Sequence, residues 1–232
     1  MSLLALALAP GFAIMLYIYL KDKHEREPLG LLIKCFIAGI FSTVPAVILS
    51  RYGSSFGYGI SDNPWITFVY AYGVVAFSEE LSKFAMVYWF AYRNKNFNEP
   101  FDGIVYSVMV SMGFATLENI LYVNQYGYGT GIMRMFTAVP AHASFAVVMG
   151  YFLGKAKYDT TESFKLKLFG LLGAVLLHGS YDYSLFEIRN YPLALLGAVI
   201  SLALGIRLSR KAMREHQLAS PFRFTKDKDI IS

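Results

Sequence analysis

Seven ionisable side chains lie within apolar stretches of this sequence, and their types suit hydrolysis. They are Glu79, Glu80, Lys83, Glu118, His142, His178 and Asp182. Carboxylates and imidazoles move protons in general acid–base catalysis, and the same groups bind zinc. Asn119, which follows Glu118, adds a side-chain amide that can stabilise an oxyanion. These eight side chains therefore define the candidate site.

The first three ionisable residues, Glu79, Glu80 and Lys83, fall on little more than one helical turn. Glu79 and Lys83 are four residues apart with the carboxylate first, the favourable order for an ion pair on one helix face. Glu80 is also within reach of Lys83. Because one ammonium then serves two carboxylates, one carboxylate is left without full neutralisation, as suits a general base. The competing interpretation is a structural salt bridge at Lys83 and a hydrogen bond between helices at Glu80.

A second spacing of four residues joins His178 to Asp182. At this spacing the carboxylate can hold one ring nitrogen and fix the tautomer, an arrangement that supports catalytic and metal-binding histidines alike. The competing interpretation of an imidazole in an apolar stretch is a packed, hydrogen-bonded side chain. His142 and His178 occur with three glutamates and an aspartate, which weakens that interpretation.

The composition indicates a membrane protein. Of 232 residues, 56% are hydrophobic and 16% are charged, whereas a soluble domain has about 25% charged residues. This excludes a disordered chain, a collagen-like fibre and a typical soluble enzyme. Cys35, the only cysteine, excludes a disulfide scaffold and an all-cysteine zinc site. The charges cluster between apolar runs, so we predict an all-α integral membrane protein.

The apolar runs predict a bundle of about seven transmembrane helices. A helix that crosses the hydrocarbon core needs about 20 mostly apolar residues. The predicted spans are 3–20, 29–50, 65–92, 101–123, 132–154, 167–186 and 192–208. We therefore expect one polytopic domain over residues 1–209 and a basic cytoplasmic tail over 210–232. The basic residues follow the loops rather than forming one patch, so a nucleic-acid partner is not expected.

The distribution of basic residues predicts the orientation. The predicted inner segments contain 16 Lys and Arg, and the predicted outer segments contain only Arg51, Arg134 and Arg189. Since basic loops stay in the cytoplasm, the amino terminus should lie outside and the carboxyl terminus inside. At a helical rise of about 1.5 Å per residue, the polar groups fall in one slab at or beyond the bilayer midplane, toward the outside. This predicts one buried site that opens to the outer face.

Several proteolytic mechanisms do not fit the sequence. His24-Glu25 is followed at the fifth position by Pro28, so no zinc-binding HExxH motif is present. No Gly-x-Ser-x-Gly turn surrounds Ser144 or Ser180. Cys35 lies near the predicted inner face, and Asp102 lies at the opposite end of the membrane from Asp182. Glutamate and histidine chemistry remains.

Three motifs resemble those of the PrsW family of intramembrane proteases. Residues 78–83 read SEELSK and resemble the EExxK motif of that family, residues 114–119 read FATLEN and resemble FxxxEN, and residues 178–182 read HGSYD and resemble HxxxD. The three motifs occur in the same order as in the family. The resemblance extends over residues 9–215, which is nearly the whole chain.

The resemblance implies a protease of the bacterial cell membrane. Its implied partner is a single-pass transmembrane anti-sigma factor such as RsiW, cut first on the outer side. A second intramembrane protease then completes the degradation, and an envelope-stress sigma factor is released. The wider superfamily also contains CAAX-prenyl endopeptidases and bacteriocin-immunity proteins, so the resemblance indicates the reaction type more directly than the substrate.

For the mechanism we expect hydrolysis by activated water. Glu80 or Glu79, together with Glu118, would take the proton. His178 with Asp182, and His142, would position the water or stabilise the oxyanion, and Asn119 would assist. Two versions remain open: a metal-free one, and one in which Zn²⁺ is bound by a set of four side chains. The candidate zinc ligands are Glu80, Glu118, His142 and His178.

Two other classes compete with a protease. Glu, His and Asp near the midplane also form the proton relays of ion-coupled transporters, but this chain lacks the two-half symmetry that transporter folds often carry. A transporter predicts uptake that depends on Glu118 and no cleaved product. A non-catalytic scaffold predicts that Glu80→Gln and His178→Ala lower abundance and leave any activity per molecule unchanged.

Overall fold

The computed structural model describes residues 3–224, and the regular secondary structure in that range is helical. The α-helices are α1 (Leu3–Lys21), α2 (Leu29–Ser54), α3 (Pro64–Val69), α4 (Phe77–Val87), α5 (Pro100–Phe136), α6 (Ala138–Tyr158), α7 (Ser163–Phe186) and α8 (Leu195–Leu218). Short 3₁₀ turns follow α7, precede α8 and close the described range. Helices therefore occur at all seven positions predicted from the apolar runs.

The segment from α3 to Tyr92 is one continuous helical rod with two widened turns. It begins at a capped end, where Asn63 Oδ1 accepts the backbone N–H of Trp65 at 3.0 Å and Pro64 supplies the fixed φ of the first turn. π-Helical stretches at Tyr70–Ala76 and Tyr88–Tyr92 flank α4 on both sides. π-Helical turns are rare and are often found at functional sites. Here they bracket the helix that carries the first motif.

Helix α5 lies at the centre of the molecule. Every residue from Phe101 to Thr116 is buried, because α1, α2 and α6 pack around it. The crossings depend on glycine: a Cβ on Gly103 would collide with the backbone of Gly150 on α6, and a Cβ on Gly113 would collide with the backbone of Phe36 on α2. Such close backbone approach is how membrane helices gain packing energy.

The second half of α5 folds back on the first half. Gly127 interrupts the helix with φ +80° and ψ −165°, a conformation that favours glycine. Beyond it, Gly131 packs against Leu6 of α1 and against Val123, four residues before the break. A second irregular residue, Thr137 (φ −123°, ψ −79°), leads into α6. The predicted fifth span, 132–154, is therefore shifted, because its first residues belong to the folded-back segment.

Four segments of the described chain are long and apolar enough to cross a membrane. They are Leu3–Lys21, Leu29–Ser54, Pro100–Tyr158, which contains α5 and α6, and Pro192–Leu218. Large apolar side chains such as Phe41, Ile48 and Leu196 are about 60% exposed, as expected of helix faces that contact lipid. The structure thus supports a multi-pass helical membrane protein. The count of about seven crossings and the orientation stay predictions.

The expected start of a separate tail at residue 210 does not coincide with a break in the fold. Helix α8 continues through this position to Leu218, and Ala212, Met213 and His216 are buried. The first part of the predicted tail therefore packs with the helical domain. Residues 225–232 of that tail lie outside the described residues.

Candidate active site

Four helices bring the predicted ionisable groups together. Glu79, Glu80 and Lys83 lie on α4, Glu118 on α5, His142 on α6, and His178 and Asp182 on α7. One ligating atom from each of Glu79, Glu80, His142 and His178 lies within 4.8 Å of the others. The grouping that was predicted from depth in the membrane is therefore present in the fold.

Lys83 joins three of these side chains. Its ammonium donates to Glu80 Oε1 at 2.8 Å and to Glu79 Oε2 at 3.3 Å, and it lies 3.3 Å from His142 Nδ1. The same ammonium lies 4.1 Å from the centre of the Phe114 ring. Lys83 is 2% exposed, and a buried ammonium needs such partners to offset its lost hydration. The salt bridge predicted on one turn of α4 is present, and it belongs to the site.

His178 lies between carboxylates on both ring nitrogens. Nδ1 is 2.9 Å from Glu80 Oε1, and Nε2 is 3.3 Å from Asp182 Oδ2. The ring stacks on Phe145, with centroids 5.3 Å apart. The predicted contact between His178 and Asp182 is therefore present, and the imidazole is held in one orientation from both sides.

Glu118 is held by two partners on a single oxygen. Its Oε2 lies 2.9 Å from His142 Nε2 and accepts a bond of 2.7 Å from Arg134 Nη2. Arg134 is a residue that the sequence analysis missed, because it was counted only among the basic residues that predict the orientation. The residues next to Arg134 in the sequence do not indicate its contact with Glu118. The feature of the sequence that relates to this contact is Gly127, where the chain folds back.

Asn119 points away from the other predicted residues. Its Nδ2 donates to the Ala7 carbonyl on α1 at 2.9 Å, and its Oδ1 accepts from Arg134 Nε at 2.9 Å. The side chain is completely buried. Because one of its two amide hydrogens is already bonded to α1 and the side chain is completely buried, its position does not favour the expected role in stabilising an oxyanion. The geometry instead favours a role in anchoring Arg134.

A cavity of about 590 Å³ opens beside this cluster. The ionisable acidic and basic side chains on its wall are Glu79, Glu118, Arg134, His142, His178 and Asp182. Its apolar wall includes Leu195, Val199 and Leu202 of α8. Glu80 and Lys83 do not line it, and Glu80 is 1% exposed whereas the Glu79 side chain is 15% exposed. The two adjacent glutamates therefore differ: Glu79 faces the cavity, and Glu80 anchors Lys83 and His178 behind it.

The cluster has the donor set of a zinc site. Two glutamates and two histidines, Glu79, Glu80, His142 and His178, offer the oxygen and nitrogen ligands that Zn²⁺ accepts. This group differs from the predicted ligand set in one member. Glu79 belongs to this group of mutually close ligating atoms, and Glu118 does not.

Comparison of the sequence with known proteins identifies a family for this chain. Residues 27–206 match the family described as PrsW family intramembrane metalloprotease. Protease PrsW of Geobacillus kaustophilus (strain HTA426) is 39% identical over 220 residues, which are 95% of this chain and 95% of that protein. Protease PrsW of Bacillus subtilis (strain 168) is 32% identical over 213 residues, 91% of this chain and 95% of that protein.

Protease PrsW of Clostridioides difficile (strain 630) is 33% identical over 218 residues, which are 90% of each chain. No solved structure matches this chain significantly. The match covers the three motifs, and the helices that carry them converge on one cavity. This chain is a multi-pass membrane peptidase that belongs to the PrsW family of intramembrane metalloproteases.

Proposed function

We propose that this protein makes the first, outer-side cut in a single-pass transmembrane anti-sigma factor such as RsiW. The observation that carries this proposal is the open cavity of about 590 Å³, into which glutamate and histidine side chains of four helices project. An extended peptide segment and a water molecule need such a polar recess within a membrane domain. Family membership supports the reaction, and the resemblance of the motifs supports the substrate.

The outer side of the cut rests on the predicted orientation. Glu118 lies toward the end of the first half of α5, before the break at Gly127, and Asp182 lies near the carboxyl end of α7. With the amino terminus outside, both helices run toward the outer face at these positions. The cavity then opens above the midplane, where it meets the outer half of a substrate helix.

In the metal-free version of the reaction, Glu79 takes the proton from the attacking water. It faces the cavity, and Lys83 holds its Oε2 at 3.3 Å. Glu118 is the second carboxylate that lines the cavity. His178 lines the cavity with carboxylates on both ring nitrogens, so its imidazolium charge, rather than a free N–H, stabilises the oxygen that becomes negatively charged. A charge held in place before the reaction stabilises that oxygen most effectively.

In the metal version, Glu79, Glu80, His142 and His178 would hold the ion. Such an ion would supply Lewis-acid polarisation of the scissile carbonyl. Glu118 lies outside this donor set and lines the cavity, so it is the carboxylate left to accept a proton from water. Asp182 keeps the His178 ring in place through Nε2 at 3.3 Å. The description of the family as metalloproteases favours this version.

The test is co-expression with an anti-sigma factor tagged at its cytoplasmic end. Wild type should trim the tagged protein on its outer side, whereas Glu79→Gln and Glu118→Gln at equal abundance should leave it intact. Glu162→Gln is the matched control, since Glu162 is an exposed partner in a surface ion pair. Trimming by Glu79→Gln and Glu118→Gln at the wild-type rate would contradict the proposal. An uncleaved substrate together with solute uptake that depends on Glu118 would support a transporter.

A further inference from the structure

Arg134 reaches Glu118 only because α5 is broken between them. The two residues are 16 positions apart, which in a straight helix corresponds to about 24 Å. In the structure, Arg134 Nη2 lies 2.7 Å from Glu118 Oε2. The break at Gly127 reverses the chain direction, and the segment after it returns along the first half of α5.

The guanidinium is held by three residues on little more than one turn of α5. It donates to Glu118 through Nη2 and to Asn119 through Nε at 2.9 Å. Its central carbon lies 4.2 Å from the centre of the Tyr122 ring. The planar fork of arginine matches the separate positions of these contacts, which the single point charge of a lysine ammonium matches less well. The side chain is 13% exposed, on the wall of the cavity.

The contacts of Arg134 determine where Glu118 points. The oxygen that accepts from Arg134 also lies 2.9 Å from His142 Nε2. Arginine and histidine thus hold the same oxygen, and the other carboxylate oxygen is free of both. The Glu118 side chain has three rotatable bonds, and without Arg134 only His142 would hold its carboxylate. The orientation toward the cavity would then be one of several available rotamers.

We propose that Arg134 is a positioning residue that holds Glu118 against His142, and that the Gly127 break exists to deliver it there. This inference rests on the proposed function, in which Glu118 acts on the water. Partners that orient a reacting group typically change activity by about 10- to 100-fold. Arg134 acts through Glu118 and does not touch the substrate.

The first test replaces the guanidinium. Arg134→Ala should lower kcat by about 10- to 100-fold with little change in KM, and Arg134→Lys should retain an intermediate rate. Free guanidinium at a non-denaturing concentration should restore part of the activity of Arg134→Ala, because it can enter the space on the cavity wall. Arg51→Ala, at an exposed position on α2, is the control. An unchanged kcat, or an alanine variant that guanidinium does not rescue, overturns the inference.

The second test compares two glycines in the same segment. Gly127 and Gly129 both have open space where a Cβ would lie, but only Gly127 has a positive φ, at +80°. Gly127→Ala should therefore reproduce the loss of kcat in Arg134→Ala, and Gly129→Ala should match wild type. Equal activity of the two alanine variants overturns the role of the break.

A third measurement needs no activity, so it separates this inference from the proposed function. A Cβ on Gly131 would lie 3.0 Å from Leu6 Cγ, which suits a disulfide. In a Cys35→Ser background, Leu6→Cys with Gly131→Cys should form a disulfide on oxidation, and adding Gly127→Ala should abolish it. A wild-type enzyme that cuts no anti-sigma factor refutes the proposed function alone. A disulfide that persists after Gly127→Ala refutes the inference alone.

Discussion

Two groups of buried carboxylates in this protein are stabilised in opposite ways. The candidate active site mixes its carboxylates with the cations of Lys83 and Arg134 and with two imidazoles. The second group, called here the inner carboxyl cluster, consists of Asp22, Glu27, Glu99 and Asp102, and each of these is at least 97% buried. It lies where the α1–α2 connection meets the start of α5.

The inner carboxyl cluster is short of hydrogen-bond donors. Asp102 Oδ2 accepts the backbone N–H groups of Asn98 and Glu99 at 2.7 and 2.8 Å, and Glu27 accepts the hydroxyl of Tyr106. Five other oxygens of the cluster have no donor in the described part of the chain: Asp22 Oδ1 and Oδ2, Glu27 Oε1, Glu99 Oε2 and Asp102 Oδ1. Among the described residues, the charges of Glu99 and Asp102 lie close enough to Asp22 to raise its pKa.

The pKa values of the two residues in the connection reflect this shortage. Burial, and then the neighbouring Glu99 and Asp102, raise the pKa of Asp22 to about 8. Burial raises the pKa of Glu27 to about 7. At neutral pH the inner cluster is therefore stabilised by protons, whereas the active-site cluster is stabilised by fixed cations. A site that must keep the same charge during a reaction benefits from the second arrangement.

The largest effect should follow from removing a fixed cation. Lys83→Met leaves Glu79 and Glu80 buried without their shared partner, and breaking a buried ion pair in this way costs about 3–5 kcal/mol. The thermal midpoint in nanodiscs should fall accordingly. The double variant Lys83→Met with Glu80→Gln should recover part of the loss, because one unpaired charge is removed. A double variant no more stable than the single one would mean that Lys83 does not compensate these carboxylates.

The next prediction compares the loss of kcat when one aspartate from each cluster is replaced by asparagine. Asp182→Asn removes the carboxylate beside His178 Nε2 and should lower kcat by about 10- to 100-fold. Asp102→Asn keeps an oxygen for the two backbone N–H groups, so cleavage of the anti-sigma factor should continue at the wild-type rate per folded molecule. Kinetics on purified enzyme measure both variants. Equal losses of kcat would show that the two clusters do not differ in function.

The sequence predicted the active-site cluster better than the inner one, and the reasons are physical. Helical spacing fixes the contacts of Lys83 with Glu79 and of His178 with Asp182, because residues four apart share a helix face. Depth along each span predicted that these groups meet. The inner cluster joins residues about 75 positions apart in a connection and a helix start, and no periodicity links such residues.

Three details of the active site required the fold itself. The contact of Arg134 with Glu118 depends on one backbone conformation at Gly127, which composition cannot predict. Asn119 shares a helix turn with Glu118, but the neighbouring α1 decides where its amide donates. The choice between Glu79 and Glu80 depends on which one the packing of α7 covers. In each case the deciding contact comes from another segment of the chain.

The pH dependence of stability should come from the inner cluster. The native state keeps protons on Asp22 and Glu27 up to about pH 8 and 7, whereas the unfolded chain releases them near pH 4. Because the native state binds more protons in this range, the free energy of unfolding should fall as pH rises from about 5 to 8, by about 1.4 kcal/mol per pH unit for each retained proton. Thermal midpoints across this range measure it, and a flat or rising profile would contradict the assignment.

A smaller pH-dependent effect should come from replacing one of these two proton-dependent groups with a permanently neutral one. Asp22→Asn places an amide where the aspartate must hold a proton, and the amide can donate to Glu99, the first neighbour that raises the pKa of Asp22. The variant should equal wild type in stability near pH 5 and then exceed it by about 1.4 kcal/mol for each pH unit up to about pH 8, because it lacks the slope that one retained proton gives.

Asp62→Asn, at an exposed position in the α2–α3 connection, is the matched control and should keep the wild-type profile. The difference between the two profiles isolates the proton held by Asp22 from the general effect of removing an acidic residue. If Asp22→Asn lowers stability at pH 8, the carboxylate is ionised there and bound to a cation. The inner cluster would then be stabilised in the same way as the active site.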